Sequence, residues 1–163
     1  GFRACINDML VQDRETVCSS AVRAHLKAGN ARKAAAMLGR PFSVFGPVEH
    51  GQKLARQLGF PTANIALPAS AALPRPGVYA VSTLIGGATY RGIANLGFRP
   101  TIDEKIKIPR LETHLINYSG PDFYGEKIEV FLHDFIRDEQ KFESVQELKN
   151  QIQTDIASLQ NGY

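Results

Sequence analysis

At 163 residues, 44% apolar and 21% charged, the chain has the size and composition of one soluble globular domain with a proper core, not of a disordered segment. Its net charge of +3 is unevenly placed: residues 1–41 carry seven Lys/Arg against three Asp/Glu, and the remainder twelve against thirteen. A nearly neutral main domain argues against a nucleic-acid partner, and with no membrane-length apolar run and no basic-then-apolar start the expected compartment is the cytoplasm.

Residues 1–18 show weak periodicity and read as irregular; Cys5 and Cys18, without a second pair or a partner His, suggest neither zinc nor a disulfide framework. Ser19 and Ser20 precede Ala21–Ala28, with Gly29-Asn30 after it, which predicts a short serine-capped helix. Ala31 to Leu38 predicts a second, closed by Gly39. From Phe42 the pattern changes to period two. Strands are expected at Phe42–Val48, Thr62–Leu67, Gly77–Ile85, Ala88–Leu96, Arg110–Tyr118 and Lys127–Arg137. Gly86-Gly87 is a hairpin turn, Pro68 to Pro76 a loop, and Gly97 to Pro109 a long polar connection. Ser144-Val145-Gln146-Glu147 reads as a capping box, followed by one apolar helical face of Val145, Leu148, Ile152, Ile156 and Leu159. Six short strands without intervening helices predict a mainly β, antiparallel barrel with the last helix packed on it.

The chain is organised around Gly59-Phe60-Pro61-Thr62-Ala63-Asn64. Pro61 fixes its own φ and biases Phe60 to extended geometry, so a strand starts here. Thr62 and Asn64, two apart, present a hydroxyl and an amide oxygen on one side of it. Two neutral oxygens can share a hard cation such as Mg²⁺ with a polyphosphate. A turn whose side chains bond their own backbone would use the same residue types. Upstream, Gly51 to Gly59, with Lys53 and Arg56, is a basic loop able to lie over phosphates.

Phosphoryl transfer to an alcohol also needs a base. Glu112 is the candidate, on a strand whose Leu111, Thr113 and Leu115 share the opposite face; a solvated strand carboxylate would look the same. His114 shares its face. Arg137 ends a strand, where it could neutralise a phosphate or pair with Asp138 or Glu139 at the surface. Phe131 and Phe135 are expected on one face with His133. No common nucleotide motif is present: Gly46 to Lys53 nearly imitates a phosphate loop, but Gln52 breaks the Gly-Lys pair. His25, His50, His114 and His133 lack metal-ligand spacing.

Six ordered motifs within residues 41–160 resemble the riboflavin kinase module of bacterial bifunctional FAD synthetases. They are Gly46…His50-Gly51…Leu58-Gly59-Phe60-Pro61-Thr62-Ala63-Asn64, Gly77-Val78-Tyr79-Ala80, Asn95-Leu96-Gly97…Arg99-Pro100-Thr101, Leu111-Glu112-Thr113-His114-Leu115, Asp122-Phe123-Tyr124-Gly125 and Ile136-Arg137-Asp138-Glu139…Phe142. The resemblance implies a six-stranded Greek-key barrel and the ATP-dependent phosphorylation of riboflavin at its 5′-hydroxyl to FMN and ADP. It implies Thr62 and Asn64 as Mg²⁺ ligands and Glu112 as the base. ATP would meet His50, Gly51, Lys53, Arg56, Gly59, Phe60, Pro61, Thr62 and Asn64. Riboflavin would meet Asn95, Arg99, Thr101, Glu112, Tyr124 and Arg137. Ala55-Arg56 stands where the family usually has Gly-Arg, which stiffens the expected flap. Ser19-Ser20-Ala21-Val22-Arg23 is similar to the phosphate motif ending the adenylyltransferase domain of the same proteins, whose His-containing nucleotide motif this chain lacks. Residues 1–40 are therefore expected to be a remnant of that domain and 41–163 the kinase. The chain would make FMN without adenylylating it to FAD. The rival expectation is a non-catalytic flavin- or RNA-binding barrel, and self-association is left open.

Overall fold

The computed structural model describes residues 1–4, 8–50, 62–68, 71–100 and 107–160, without the side chains of 99, 100, 107 and 160. A two-residue-per-strand hairpin, β1 (Val11–Gln12) and β2 (Glu15–Thr16), leads into helices α1 (Ser19–Lys27) and α2 (Ala31–Leu38). Then come β3 (Phe42–Glu49), β4 (Thr62–Ala66), β5 (Gly77–Ile85), β6 (Ala88–Pro100), β7 (Lys107–Leu115) and β8 (Lys127–Arg137), and helix α3 (Val145–Gln160).

Strands β3 to β8 close a barrel in the order β3-β4-β7-β6-β5-β8, every pair antiparallel. Strand β8 returns beside β5, the first strand of the β5-β6-β7 meander, which makes the expected Greek key. Alternate residues point inward: Val44, Val48, Ile65, Tyr79, Val81, Leu96, Leu111, Val130 and Leu132 form one core. Each such side chain, fully buried, contributes roughly 1.5–3 kcal/mol. The other parity faces out. Val78, Ala80 and Ile93 on the outer wall of β5 and β6 take Ile152, Ile156 and Leu159 of α3, the C-terminal part of the predicted apolar face, while Val145 at its start is exposed. Ser144 Oγ accepts from the Glu147 N–H (3.2 Å) as a capping box requires, but the Glu147 carboxylate returns to the Glu143 N–H (3.1 Å) rather than to Ser144.

Four local expectations are corrected. Residues 1–18 include the β1–β2 hairpin, tied to α1 by His25 and Glu15 at 2.8 Å. Ser19 and Ser20 lie inside the first turn of α1, while Cys18 occupies the cap position without a side-chain cap bond. The stretch from Gly97 to Pro109 is not all connection: β6 and β7 pair on through Gly97–Arg110, Phe98–Pro109, Arg99–Ile108 and Pro100–Lys107. Strand β5 ends its pairing at Leu96, and the Leu67 N–H just after β4 still reaches the Pro109 carbonyl oxygen (2.9 Å), so beyond these points the extension is a two-stranded ribbon. Finally, Phe135 does not share a face with Phe131 and His133. Irregularities in the β5–β8 register advance β8 by an extra residue, so Phe135 lies opposite Tyr79 on the inner side, its ring edge-on at 5.3 Å.

Helices α1 and α2 dock on the barrel end where β5 begins. Ala31 joins the barrel core, the Arg75 N–H donates to the Leu26 carbonyl oxygen (2.8 Å), and Arg32 forks onto Asp134.

Candidate active site

Strand pairing brings the predicted residues together. Asn64 on β4 lies directly opposite Glu112 on β7, and Thr62 opposite His114. On its other side Glu112 lies opposite Asn95 of β6, and Asn64 lies opposite Glu49 of β3. Because Ile65, Leu111 and Leu96 of the next row fill the core, the row Glu49–Asn64–Glu112–Asn95 faces the outer wall. Opposite Cβ atoms of such pairs stand about 4.5–5.5 Å apart, so these groups can share one substrate.

Burial and hydrogen bonding mark the row as incomplete by itself. Asn64 is only 2% exposed, and its Oδ1, like that of Asn95, is buried with no hydrogen-bond partner among the described residues. A native protein rarely leaves such an acceptor unpaired, and its loss of hydration costs about 1–3 kcal/mol. Thr62 is half-buried one step along the same side of β4. A neutral amide oxygen and a hydroxyl oxygen are donors that suit a hard cation retaining water and phosphate oxygens in its shell. Among the described residues no cluster of three His, Cys, Asp or Glu forms a metal site of another kind. Arg110 Nη2 donates to Glu49 Oε2 at 3.0 Å, which partly neutralises the edge of the row.

Thr62 also lines a cavity of about 250 Å³ at the barrel end opposite α1 and α2, with Val48, Leu115, Tyr118, Phe123 and Tyr124. Its aromatics pack edge-to-face, Tyr118 on Tyr90 at 5.1 Å and on Phe123 at 5.3 Å. Tyr118 donates to the Pro121 carbonyl oxygen (2.8 Å), and burial, then the neighbouring Tyr90, Glu126 and Asp122, push its hydroxyl pKa up. The His50 ring stacks on Tyr124 at 3.9 Å and 29°. These two residues, given to ATP and riboflavin respectively by resemblance, are therefore neighbours.

Arg137 has a different partner from either surface acid proposed for it. Its Nε and Nη2 grip the carboxylate of Asp155 in α3 at 2.8–3.1 Å, and Nη1 donates to the Asp138 carbonyl oxygen. Asp155 is 2% exposed and also accepts from Gln151. Arg137 is thus the bolt between β8 and α3. Gly51, Lys53, Arg56, Gly59, Phe60, Pro61 and Thr101 lie outside the described residues, as does the side chain of Arg99. Tyr118 and Asp155 were not singled out from the sequence as site or anchor residues, and Phe123 entered only inside the Asp122–Gly125 motif. Nothing local marks the first two, since their roles arise from the crossing of β7 to β8 and from helix docking.

The family model described as Flavokinase, riboflavin kinase, matches residues 38–162. The chain belongs to the riboflavin kinase family. It is 45% identical over 158 residues to the bifunctional riboflavin kinase/FMN adenylyltransferase of Pseudomonas fluorescens, covering 97% of this chain and 50% of that relative. The enzyme of the same description from Bacillus subtilis is 37% identical over 149 residues, 91% of this chain and 47% of the relative. The chain spans about half the length of the curated relatives it matches. Among solved structures, riboflavin kinase from Trypanosoma brucei aligns with a TM-score of 0.51 and 28% identity, over 74% of this chain and 78% of that one. A crystal structure described as a macrolide-efflux protein from Streptococcus pneumoniae aligns with a TM-score of 0.86 and 32% identity, over 95% of this chain and 50% of that one. The riboflavin kinase barrel is therefore the framework on which the Thr62, Asn64 and Glu112 row is built. Among the described residues, no helix is long and apolar enough to cross a membrane.

Proposed function

We propose that this chain transfers the γ-phosphoryl group of ATP to the 5′-hydroxyl of riboflavin, giving FMN and ADP. The observation that carries this is the buried, unpartnered Asn64 Oδ1 set directly across from Glu112. Thr62 and Asn64 would hold Mg²⁺, which when bound supplies positive charge to the transferring phosphates. Glu112 orients the riboflavin 5′-hydroxyl and takes its proton as the oxygen bonds to the γ-phosphorus. The bond to the β–γ bridging oxygen breaks, and its electron pair leaves with ADP.

In-line transfer puts nucleotide and acceptor on opposite flanks of this row. The aromatic cavity shared by Thr62, Tyr118, Phe123 and Tyr124 suits a nucleobase, with His50 behind Tyr124. The flavin then enters from the Asn95 flank. Tyr124 accordingly goes with ATP, and Arg137 supports the flavin side through α3 instead of touching a phosphate. Gly51, Lys53, Arg56, Gly59, Phe60 and Pro61 are proposed for ATP, and Arg99 and Thr101 for riboflavin, on the family resemblance.

Residues 1–40 are proposed to be shared with the adenylyltransferase part of the longer relatives. In support, the alignment to those relatives spans 158 residues while the kinase family model begins at residue 38. The kinase step is assigned to residues within this chain. Following FMN formation from riboflavin and Mg·ATP in wild type, Glu112→Gln and Asn64→Ala tests the mechanism. Turnover is expected to collapse in both variants, and wild-type turnover in both would remove it.

A further inference from the structure

We propose that Glu139 is a positioning residue for riboflavin recognition, fixing the Asn95 amide so that its carbonyl oxygen reads a hydroxyl of the flavin's polyol chain. The proposal rests on the kinase reading above and goes beyond it in naming how the acceptor is selected. Asn95 Nδ2 donates to Glu139 Oε1 at 3.0 Å. A carboxylate accepts and does not donate, so Glu139 can face only the NH₂ end of the amide. The oxygen end is thereby turned away, and it is this Oδ1 that is buried without a partner. Asn95 stands opposite Glu112, so the unfilled acceptor belongs to the same wall as the base.

The two orphaned oxygens flanking Glu112 differ in their company. Asn64 has the Thr62 hydroxyl two residues away on its side of the strand, a second oxygen for a cation. The corresponding neighbours of Asn95 on β6 are Ile93 and Gly97, which offer none. A lone neutral amide oxygen calls for a hydrogen-bond donor, and riboflavin's side chain is a row of hydroxyls. Gly97 has its own part: a Cβ there would lie 2.3 Å from Glu139 Oε1, so the carboxylate occupies the space that a side chain at 97 would fill. Glycine at 97, glutamate at 139 and asparagine at 95 form one fitted set.

The test compares the Kd of riboflavin with that of lumiflavin, which keeps the isoalloxazine ring but lacks the polyol. Glu139→Ala frees the amide and is expected to weaken riboflavin about tenfold, the worth of roughly one hydrogen bond, while leaving lumiflavin unchanged. In turnover, riboflavin KM rises with kcat nearly constant. Gly97→Ala, which displaces the carboxylate without removing it, is expected to do the same, and Glu139→Gln, which keeps an acceptor, to fall between. Should Glu139→Ala fail to fold, the other two variants decide the question. An unchanged riboflavin-to-lumiflavin ratio in the folded variants overturns the proposal while leaving the kinase intact. Failure of the wild type to form FMN would instead overturn the kinase reading, a result visible without any variant.

Discussion

The end of the barrel under α1 and α2 and the wall carrying β4, β7 and β6 are built to opposite standards. At the helical end Tyr79 is fully buried, yet its hydroxyl donates to the Arg75 carbonyl oxygen at 2.6 Å. Arg75 itself pairs with Asp138 at 2.7 Å, and Arg32 holds Asp134. On the wall, four buried polar atoms lack partners among the described residues: Asn64 Oδ1, Asn95 Oδ1, Arg110 Nε and Thr113 Oγ1. All four lie on three adjacent strands. Thr113 points into the core, but the other three face outward around Glu112. A protein that completes its hydrogen bonds at one place and leaves them open at another is holding the second place for something that binds.

That contrast is best broken by variants that separate stability from turnover. Glu112→Gln is expected to cut FMN formation by about 10²–10⁴-fold, with denaturant stability unmoved. Asn64→Leu should lose activity too while unfolding within about 1 kcal/mol of wild type, because the amide oxygen removed has no hydrogen-bond partner to lose among the described residues. Asp155→Ala tests the satisfied anchor between β8 and α3. Leaving the Arg137 guanidinium without its carboxylate should cost about 3 kcal/mol in urea unfolding. Tyr79→Phe at the helical end should cost about 1 kcal/mol with FMN formation unchanged. In the wild type, burial, against the opposing Arg75 charge, pushes the Tyr79 hydroxyl up to about 12. Alkaline difference spectra should therefore show a late-titrating tyrosine that is lost in Tyr79→Phe.

The smallest expected effect concerns His133, whose imidazole bonds to Ser82 at 2.8 Å on the outer wall. Burial lowers its pKa below the ordinary 6.5, Arg91 adds to the fall, and Asp134 opposes it. As pH drops through 6.5 the unfolded chain takes up the proton first, so stability decreases in that window and recovers as pH rises. His133→Gln should flatten this part of the stability curve between pH 7 and 5.

Much of this was readable in the chain, and the failures have physical causes. The six strands and α3 follow from hydrophobic period, and the two-residue spacing of Thr62 and Asn64 placed both on one side of β4. What spacing could not show was register. That Asn64 meets Glu112 and Asn95 is a fact of three strands aligned across a Greek key, with Asn64 and Asn95 drawn from segments 31 residues apart. The bulged β8 defeated strict alternation at Phe135, since one extra residue reverses the side chains that follow it until the next irregularity before Arg137. Gly97 and the prolines read as loop because the pattern assumes a strand flanked on both sides. Arg137 found Asp155 only through helix docking, which leaves no trace in the local sequence.

The β6–β7 ribbon has one further consequence. Six strands in a closed ring leave no edge on which another molecule could build, so among the described residues the open rungs at 97–100 and 107–108 are where a foreign strand could add. One of those rungs carries Pro100, which has no amide hydrogen to offer it. The projecting ribbon is thus guarded against recruiting its own neighbours into an aggregate.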